Sequence, residues 1–544
     1  MREAVFGSQP GGSYSPGIVA EGRLLFVSGQ GPRHGDSPIP NDVATQTRSA
    51  LSNVARVLAE AGAGLTDVVR CGVYLRRIND FDAMDAAYRE CFPEPRPART
   101  TVGADLPGIL VEIDCVAVLP QARTMTLAAA LEQIEALPAD PLGKVAGAHI
   151  DGVPRRDLQT LRVPINALAT PLLTIDRSAV THNIWALQRW CDDRRYALAP
   201  HGKTTMAPQL WARQLDAGAW GITVATEAQL RVALESGVPR VQLADPLLRR
   251  EAVDAVAAVL AGDPARQVLT WVDSVAAVER LAGKRPRPLQ VLLDIGHPGG
   301  RTGVRTQAEA VRVLKEIERA PGVELCGSTG YEGAIATGTE PTSSDVVDYV
   351  AGLLEIHRTV VVPACSSPAY LSIGGSQHLP EVALGLTGLS PEDGTVLIRA
   401  GAYLAHDDGL YRDAHLDSTV DAPQFRPALT LLATVIAVHD DETAIIDAGR
   451  RDAAHDHGLP VPKALWRGAQ ILERTEHAAP VAAIYDQHAI VRPGTFSAAP
   501  QVGDVLSLGI SHPCTTFDRW RDVVELDGPP RPDSVAVGLI RTVF

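Results

Sequence analysis

The chain lacks an excess of positive charge. Fifty Lys and Arg residues stand against 64 Asp and Glu, a formal net charge of −14. That balance argues against nucleic acid or an anionic membrane as the main partner, since both attract basic surfaces. Long apolar runs are missing as well. None approaches the roughly 18 residues of a membrane-spanning helix. The opening Met1-Arg2-Glu3-Ala4-Val5-Phe6-Gly7 has no apolar core of a secretory signal. Cysteine is scarce: seven residues, odd in number and scattered, do not make a disulfide framework. Together these absences point to a soluble, cytoplasmic enzyme with a small-molecule substrate.

What is present is an ordinary globular composition over 544 residues, 45% hydrophobic and 21% charged. That length suits about three or four domain-sized units. The first 121 residues read as one α+β domain. Ile18-Val19-Ala20 and Leu24-Leu25-Phe26-Val27 flank Glu21-Gly22 as a hairpin. Leu51, Val54, Leu58 and Ala61 share a helix face that Gly62 and Gly64 stop. Val69 to Leu75 alternates as a strand. Phe81, Met84, Tyr88 and Cys91 mark a second helix, and Val111 to Ala117 a last strand. The order is ββαβαβ. Residues 122–165 form a connector, helical over Leu127 to Leu137 and rich in Pro and Gly at Pro138, Pro141, Gly143 and Gly152.

From 166 to 408, short apolar strands alternate with helices. The strands are Ala197–Ala199, Ile222–Ala225, Val241–Ala244, Val268–Val272, Val291–Asp294, Val323–Gly327, Tyr370–Ile373 and Val396–Arg399. Eight strand–helix units predict a (β/α)8 barrel. Residues 409–544 read as a mostly β domain. It contains a hairpin of Thr430–Val438 and Ala444–Asp447 around Asp440-Asp441-Glu442, then strands at Val481–Tyr485, Val505–Ile510 and Val535–Ile540.

Pro200-His201-Gly202-Lys203-Thr204 follows the first barrel strand, at the C-terminal mouth where barrel active sites sit. A lysine there can bond an aldehyde cofactor through its amine. Taken alone, it reads first as a surface lysine in a loop. Ile373-Gly374-Gly375-Ser376 follows the seventh strand, where barrels bind phosphate and glycines let backbone N–H groups approach an anion. Gly509-Ile510-Ser511-His512-Pro513-Cys514 places His512 and Cys514 two apart, on one face of an extended segment. Zn2+ favours that N/S pair. By spacing alone a chance His-x-Cys is the leading reading.

Pro200 to Thr226 resembles the D-serine dehydratase/D-threonine aldolase family of fold-type III pyridoxal-phosphate (PLP) enzymes, and the similarity runs from about Thr170 to Phe544. Asp294-Ile295-Gly296, Arg301-Thr302-Gly303, Gly330-Tyr331-Glu332-Gly333, Gly374-Gly375-Ser376, Arg399-Ala400-Gly401-Ala402-Tyr403 and Asp456-His457-Gly458 carry it. The resemblance implies an alanine-racemase-like PLP barrel with a β domain. It implies Lys203 as the cofactor lysine, Tyr331 near the ring, Gly374, Gly375 and Ser376 on the phosphate, and His512 with Cys514 as a zinc pair. Cys514 stands where aldolase members more often carry Asp, which favours dehydration. His201 either flanks the cofactor ring or packs. His488 is a further histidine for which a site role and a structural role stand open.

The N-terminal residues Tyr14-Ser15-Pro16-Gly17, Val27-Ser28-Gly29-Gln30 and Pro97-Ala98-Arg99-Thr100-Thr101-Val102 resemble the reactive-intermediate deaminase (Rid) family. That family hydrolyses enamines and imines, usually as trimers. The resemblance implies Arg99 as the substrate-carboxylate arginine and Glu112 as the water-activating glutamate, with Tyr14 and Gly29 nearby. A guanidinium fork suits a carboxylate. The fusion suggests that the barrel releases an enamine which the first domain hydrolyses. The function expected is PLP- and zinc-dependent deamination of a D-3-hydroxyamino acid such as D-serine, in a dimer, trimer or hexamer. A D-threonine-type aldolase, a non-catalytic PLP carrier and a Rid-based binding scaffold are the alternatives.

Overall fold

A computed structural model describes all residues except 1, 6–11, 21–23, 34–37, 61–62, 119–124, 141–142, 146–149, 151, 336–341, 416–421, 440–442, 476–477, 479 and 493. The expected turns at Glu21-Gly22 and Asp440-Asp441-Glu442, the helix stop at Gly62 and the connector's Pro141 lie outside the described residues. The chain divides into two compact units, Met1–Thr124 and Met125–Phe544.

In the first unit, four strands lie in the order Leu24–Gln30, Val111–Val118, Val68–Leu75, Ala98–Gly103. The helices Val43–Glu60 and Phe81–Cys91 cover one face, because their apolar stripes repeat at helical spacing. Leu51, Val54, Leu58, Met84 and Tyr88 meet Cys71, Val73 and Ile113 of the strands in that core. Two elements differ from the sequence reading. The expected hairpin partners part: Gly17–Ala20 pairs antiparallel with Arg2–Val5, while Leu24–Gln30 pairs with Val111–Val118. Ala98–Gly103 is an additional strand, parallel to Val68–Leu75.

The second unit contains the barrel. Eight parallel strands run Ala197–Leu198, Ile222–Val224, Arg240–Leu243, Gln267–Val272, Leu289–Asp294, Val323–Thr329, Tyr370–Ile373 and Thr395–Ile398, each beside the next. All eight coincide with the strands read from sequence. The last pairs with the first, and a bridge from His201 to Thr223 closes the ring. Ala199, Leu269, Trp271, Leu292, Cys326 and Leu397 form an apolar cluster of their own. They stand on or just past the first, fourth, fifth, sixth and eighth strands, so side chains from around the ring fill a packed lumen.

A second sheet holds the C-terminal strands. Its central pair is Leu429–Val438 with Val505–Gly509. The antiparallel partners Leu429–Val438 and Ala444–Ile446 form the expected hairpin. The sequence pattern starts the barrel region at 166, but Leu172–Asp176 is a strand of this second sheet. It pairs with Leu429–Val438 and with Asp522–Leu526. An apolar Leu-Leu-Thr-Ile run fits a strand buried in either sheet, so pattern alone does not choose. The connector is anchored to this unit. Gln209 donates to Glu135 of the helix Leu127–Ala136 at 2.6 Å, and the buried Arg155 pairs with Asp522. That arginine has no exposed side-chain surface, so the pair is fully desolvated.

Candidate active site

Lys203 lies on a one-turn helix, Gly202–Thr204, directly after the first barrel strand. Glycine is required before it. A Cβ at Gly202 would stand 2.7 Å from Ile222 Cγ2 and 2.8 Å from Trp211 Nε1. That tight seat buries Gly202 and Thr204 and leaves Lys203 exposed, projecting into the barrel mouth. Solvent reaches the side chain, yet the walls of the mouth strip part of its hydration. This burial lowers the amine's pKa; the Cys514 thiol opposes the shift, and the Arg301 and Arg399 charges add to it. An amine so placed is a better nucleophile and base at neutral pH than a free lysine.

Cys514 arrives from the β domain, in the first turn of the helix Pro513–Phe517. Its Sγ lies 3.3 Å from Thr204 Oγ1, next to Lys203. Burial pushes the thiol's pKa up, against the Thr204 hydrogen bond and the Lys203 charge. His512 begins the same turn. Its Nδ1 lies 2.7 Å from Asp456 Oδ2, and Thr515 Oγ1 donates to Asp456 Oδ1 at 2.8 Å. Burial pushes the Asp456 carboxyl up, but the hydrogen bonds from His512 and Thr515 outweigh it and hold the group below its ordinary value. The His457 ring sits 4.7 Å from the His512 ring. One ligand atom each from Asp456, His457 and His512 falls within 4.8 Å of the other two. Among the described residues that trio is the donor cluster, and Cys514 is not a member of it.

Tyr331 follows the strand Val323–Thr329, with the Arg301 guanidinium 5.0 Å from its ring centre. Its N–H donates to Tyr349 Oη at 3.1 Å, and Tyr349 donates to the Ile295 carbonyl at 2.6 Å. The neighbouring Glu332 is buried and was not singled out from sequence. Its carboxylate accepts the Gly375 N–H, and the Gly374 N lies 3.4 Å away. The two glycines expected on a phosphate therefore turn their N–H groups toward a protein carboxylate. Ser376 does otherwise. Its Oγ accepts from the N–H groups of Gly401 and Ala402, each at 3.1 Å. These three groups, at the ends of the last two barrel strands, converge on one small region.

Arg399 ends the last strand in the lumen, under the mouth. It donates to Thr329 Oγ1 at 2.7 Å, Ser372 Oγ at 2.9 Å and the Gly330 carbonyl at 2.6 Å, and lies over the Trp271 ring. The signal for it was a charged residue closing an apolar strand, Val396-Leu397-Ile398-Arg399. His201 packs beside this region. Its Nδ1 is buried with no hydrogen-bond partner among the described residues, and burial, with the Lys203 and Arg399 charges, holds its pKa well below the ordinary value. His488 is exposed, on the turn between Ala483–Ile484 and Ala489–Val491.

The first unit places its expected residues differently. The Arg99 side chain is fully buried, with Nη2 2.6 Å from Asp85 Oδ1. Its guanidinium also lies 4.6 Å from the Tyr88 ring centre, 5.2 Å from Tyr14 and 5.4 Å from Phe81. Nε and Nη1 have no hydrogen-bond partner among the described residues. Asp85 also accepts from Ser13 N at 2.9 Å and Ser13 Oγ at 2.8 Å. Glu112 packs against Gly29, where a Cβ would stand 2.0 Å from its Oε1. In register, Arg99 lies beside Cys71 and Glu112 opposite Tyr74. Residues three apart on a strand point to opposite faces. Arg99 thus faces the helices and Glu112 the other side of the sheet.

Comparison with known proteins matches three family models in series. Residues 7–119 match "Endoribonuclease L-PSP", residues 175–391 match "Alanine racemase, N-terminal domain", and residues 428–526 match "Putative serine dehydratase domain". The mitochondrial protein mmf2 of Schizosaccharomyces pombe is 40% identical over 112 residues, which are 20% of this chain and 88% of that protein. A D-threonine aldolase of an Arthrobacter species is 26% identical over 361 residues, 65% of this chain and 88% of its own. The D-threo-3-hydroxyaspartate dehydratase of a Delftia species is 26% identical over 372 residues, 64% of this chain and 92% of its own. Its solved structure superposes with a TM-score of 0.53 at 23% identity, covering 70% of this chain and 99% of that one. A cysteine-to-alanine variant of the same dehydratase has been solved in a metal-free form. The second unit shares the alanine-racemase-like barrel and β domain with these proteins.

Proposed function

We propose, for a chain that belongs through residues 7–119 to the Endoribonuclease L-PSP (Rid) family, that its barrel deaminates a D-3-hydroxyamino acid such as D-serine. The cofactors are PLP and Zn2+, the products a 2-keto acid and ammonia, and the first domain hydrolyses the enamine or imine that the barrel releases. One observation carries the reading: Lys203 and Cys514 come together from two different domains, joined through Thr204 at 3.3 Å. A lysine needs no thiol beside it to hold an aldehyde, but a β-elimination needs a group that helps a hydroxyl leave.

The residues present fit PLP. The Ser376 hydroxyl, which gathers the Gly401 and Ala402 N–H groups, suits a phosphate, and the buried His201 Nδ1 has no hydrogen-bond partner among the described residues. Gly374 and Gly375 then support the loop through Glu332. PLP supplies an electron sink for charge developing at the substrate Cα. Lys203 would hold the cofactor through its amine and, once freed, would take the substrate Cα proton as general base. His512 and Cys514 carry the N and S donors that a soft divalent ion takes, and such an ion would supply a Lewis acid toward the β-hydroxyl. Tyr331 and Arg301 wall the mouth beside Lys203. Loss of water leaves an enamine that rearranges to an imine. Water then displaces ammonia, with Glu112 as the activating base.

A panel of D- and L-hydroxyamino acids, read for ammonia, keto acid and aldehyde, tests the reading. Ammonia and keto acid are expected from D-isomers. The D-threonine aldolase relative supports one competing reading, cleavage to glycine and an aldehyde; aldehyde release from D-threonine would replace the dehydratase assignment with that one. No turnover with any of them would leave a PLP carrier or a binding scaffold. For the first domain, Glu112→Gln in the full chain should let a nucleophilic trap capture more of the released intermediate. Equal trapping in both proteins removes Glu112 from the hydrolysis.

A further inference from the structure

His512 has two ring nitrogens, and only one of them can serve a metal as an imidazole lone pair while the other bears hydrogen. The surroundings decide which. Asp456 Oδ2 stands 2.7 Å from Nδ1. An ionised carboxylate only accepts hydrogen bonds, so Nδ1 must carry the hydrogen. Thr515 Oγ1 is 3.1 Å from the same nitrogen and donates its own hydrogen to Asp456 Oδ1 at 2.8 Å. A threonine that spends its hydrogen on the carboxylate meets Nδ1 with a lone pair, which again requires N–H at Nδ1. Both carboxylate oxygens of Asp456 are thereby engaged, one by His512 and one by Thr515. That leaves the carboxylate better suited to hold a ligand than to be one.

We propose that Asp456 is a positioning residue: it fixes the Nδ1–H tautomer of His512 and so makes Nε2 the nitrogen offered to the metal, with Thr515 locking the carboxylate in place. Nothing in the sequence spacing joins these residues, since Asp456 lies 56 positions before His512. The loop around Gly458 makes the approach possible. Gly458 is in the left-handed region at φ 114°, and its carbonyl accepts Ser511 Oγ at 2.6 Å, pinning the loop to the strand end that carries His512. Carboxylate partners of metal-bound histidines fix ring orientation and raise ligand basicity. Their loss typically weakens metal binding about 10- to 100-fold.

The inference rests on the zinc reading above only for its functional meaning, so the test has two independent arms. In metal-free full-length protein with 15N-labelled histidine, the His512 signal, assigned by its loss in His512→Asn, should report hydrogen on Nδ1. Hydrogen on Nε2 overturns the proposal whatever the enzyme does. In the second arm, zinc affinity is measured by competition with a chromophoric chelator. Asp456→Ala should weaken it about 10- to 100-fold, and Asp456→Asn, which keeps an acceptor oxygen, should recover part of that loss. Unchanged affinity in Asp456→Ala overturns the positioning role. If Asp456→Ala does not fold, Thr515→Val takes its place, with a smaller loss expected and no loss counting against the proposal. Wild-type protein that binds no zinc refutes the metal reading instead, and leaves the tautomer measurement to decide on Asp456.

Discussion

Lys203 and Arg99 make an instructive pair. Each is a cation that a short motif marks as the chemical centre of its own domain, and the structure treats them in opposite ways. Lys203 rides on a buried turn with its side chain in the barrel mouth, flanked by the like charges of Arg301 and Arg399. No carboxylate holds it among the described residues. Arg99 is packed under a helix among three aromatic rings and is already paired with Asp85. A cation kept apart from carboxylates in a partly dehydrated mouth is poised to react with an incoming group. A cation given a carboxylate by its own chain must exchange or share that carboxylate before it binds another. A motif thus locates a residue, and its neighbours decide what it is free to do.

The largest effect that sharpens this contrast belongs to Lys203→Ala. Loss of the only amine at this position should remove the visible absorbance of lysine-bound PLP. Turnover should fall by at least about 10^3-fold, the scale of a lost general base. Added methylamine or another small amine should restore part of the rate. A variant that keeps both absorbance and rate would leave Lys203 no more reactive than Arg99.

Asp85→Asn tests the other half. If Asp85 competes for Arg99, neutralising it should strengthen the binding of a small carboxylate such as 2-ketobutyrate to the first domain, an increase that Arg99→Ala in addition should abolish. The same change breaks a buried ion pair and should destabilise the unit by about 3 kcal/mol. Hydrogen exchange in the strand Val68–Leu75 can follow that loss. Tighter binding with lower stability supports an internal competitor. Unchanged binding makes Arg99–Asp85 a structural pair and moves carboxylate recognition elsewhere.

The barrel was legible because its strands are short apolar runs at regular spacing, and hydrophobic period survives in any context. Ala98–Gly103 was not, because Ala-Arg-Thr-Thr-Val-Gly has no alternating apolar face, and it lies at a sheet edge where none is needed. The sheet that Leu172–Asp176 joins is a tertiary choice. In the site, Lys203, Ser376, His512 and Cys514 were visible through their motifs. Glu332 was visible only as part of the Gly330–Gly333 motif, and its role was not, because it accepts an N–H from a residue 43 positions away. Asp85 did leave a trace. It interrupts the helix stripe Phe81, Met84, Tyr88, and a carboxylate on an apolar face needs a partner. Arg99 is that partner.

The smallest effect concerns a carboxylate on the Lys203 side of the comparison. Asp294 ends the strand Leu289–Asp294 and is buried, which pushes its pKa to about 6 against the Thr302 hydrogen bond and the Arg399 charge. Unlike Asp85, it is not held in the ionised form by a close arginine. Its folded pKa lies above the unfolded value of 3.8, so between about pH 4 and 6 the folded state carries a proton that the unfolded chain has released. Stability should therefore fall as pH rises through that window, by up to about 3 kcal/mol at 1.36 kcal/mol for each pKa unit. Asp294→Asn lacks this fall, so its stability relative to the wild type should rise by a similar amount from pH 4 to pH 7. All seven tryptophans lie between Trp185 and Trp520, in the second unit. Urea unfolding followed by tryptophan fluorescence therefore reads this unit without interference from the first. A difference between variant and wild type that does not change with pH would mean that Asp294 stays ionised like Asp85, and that the barrel mouth supplies it with the counter-charge that it withholds from Lys203.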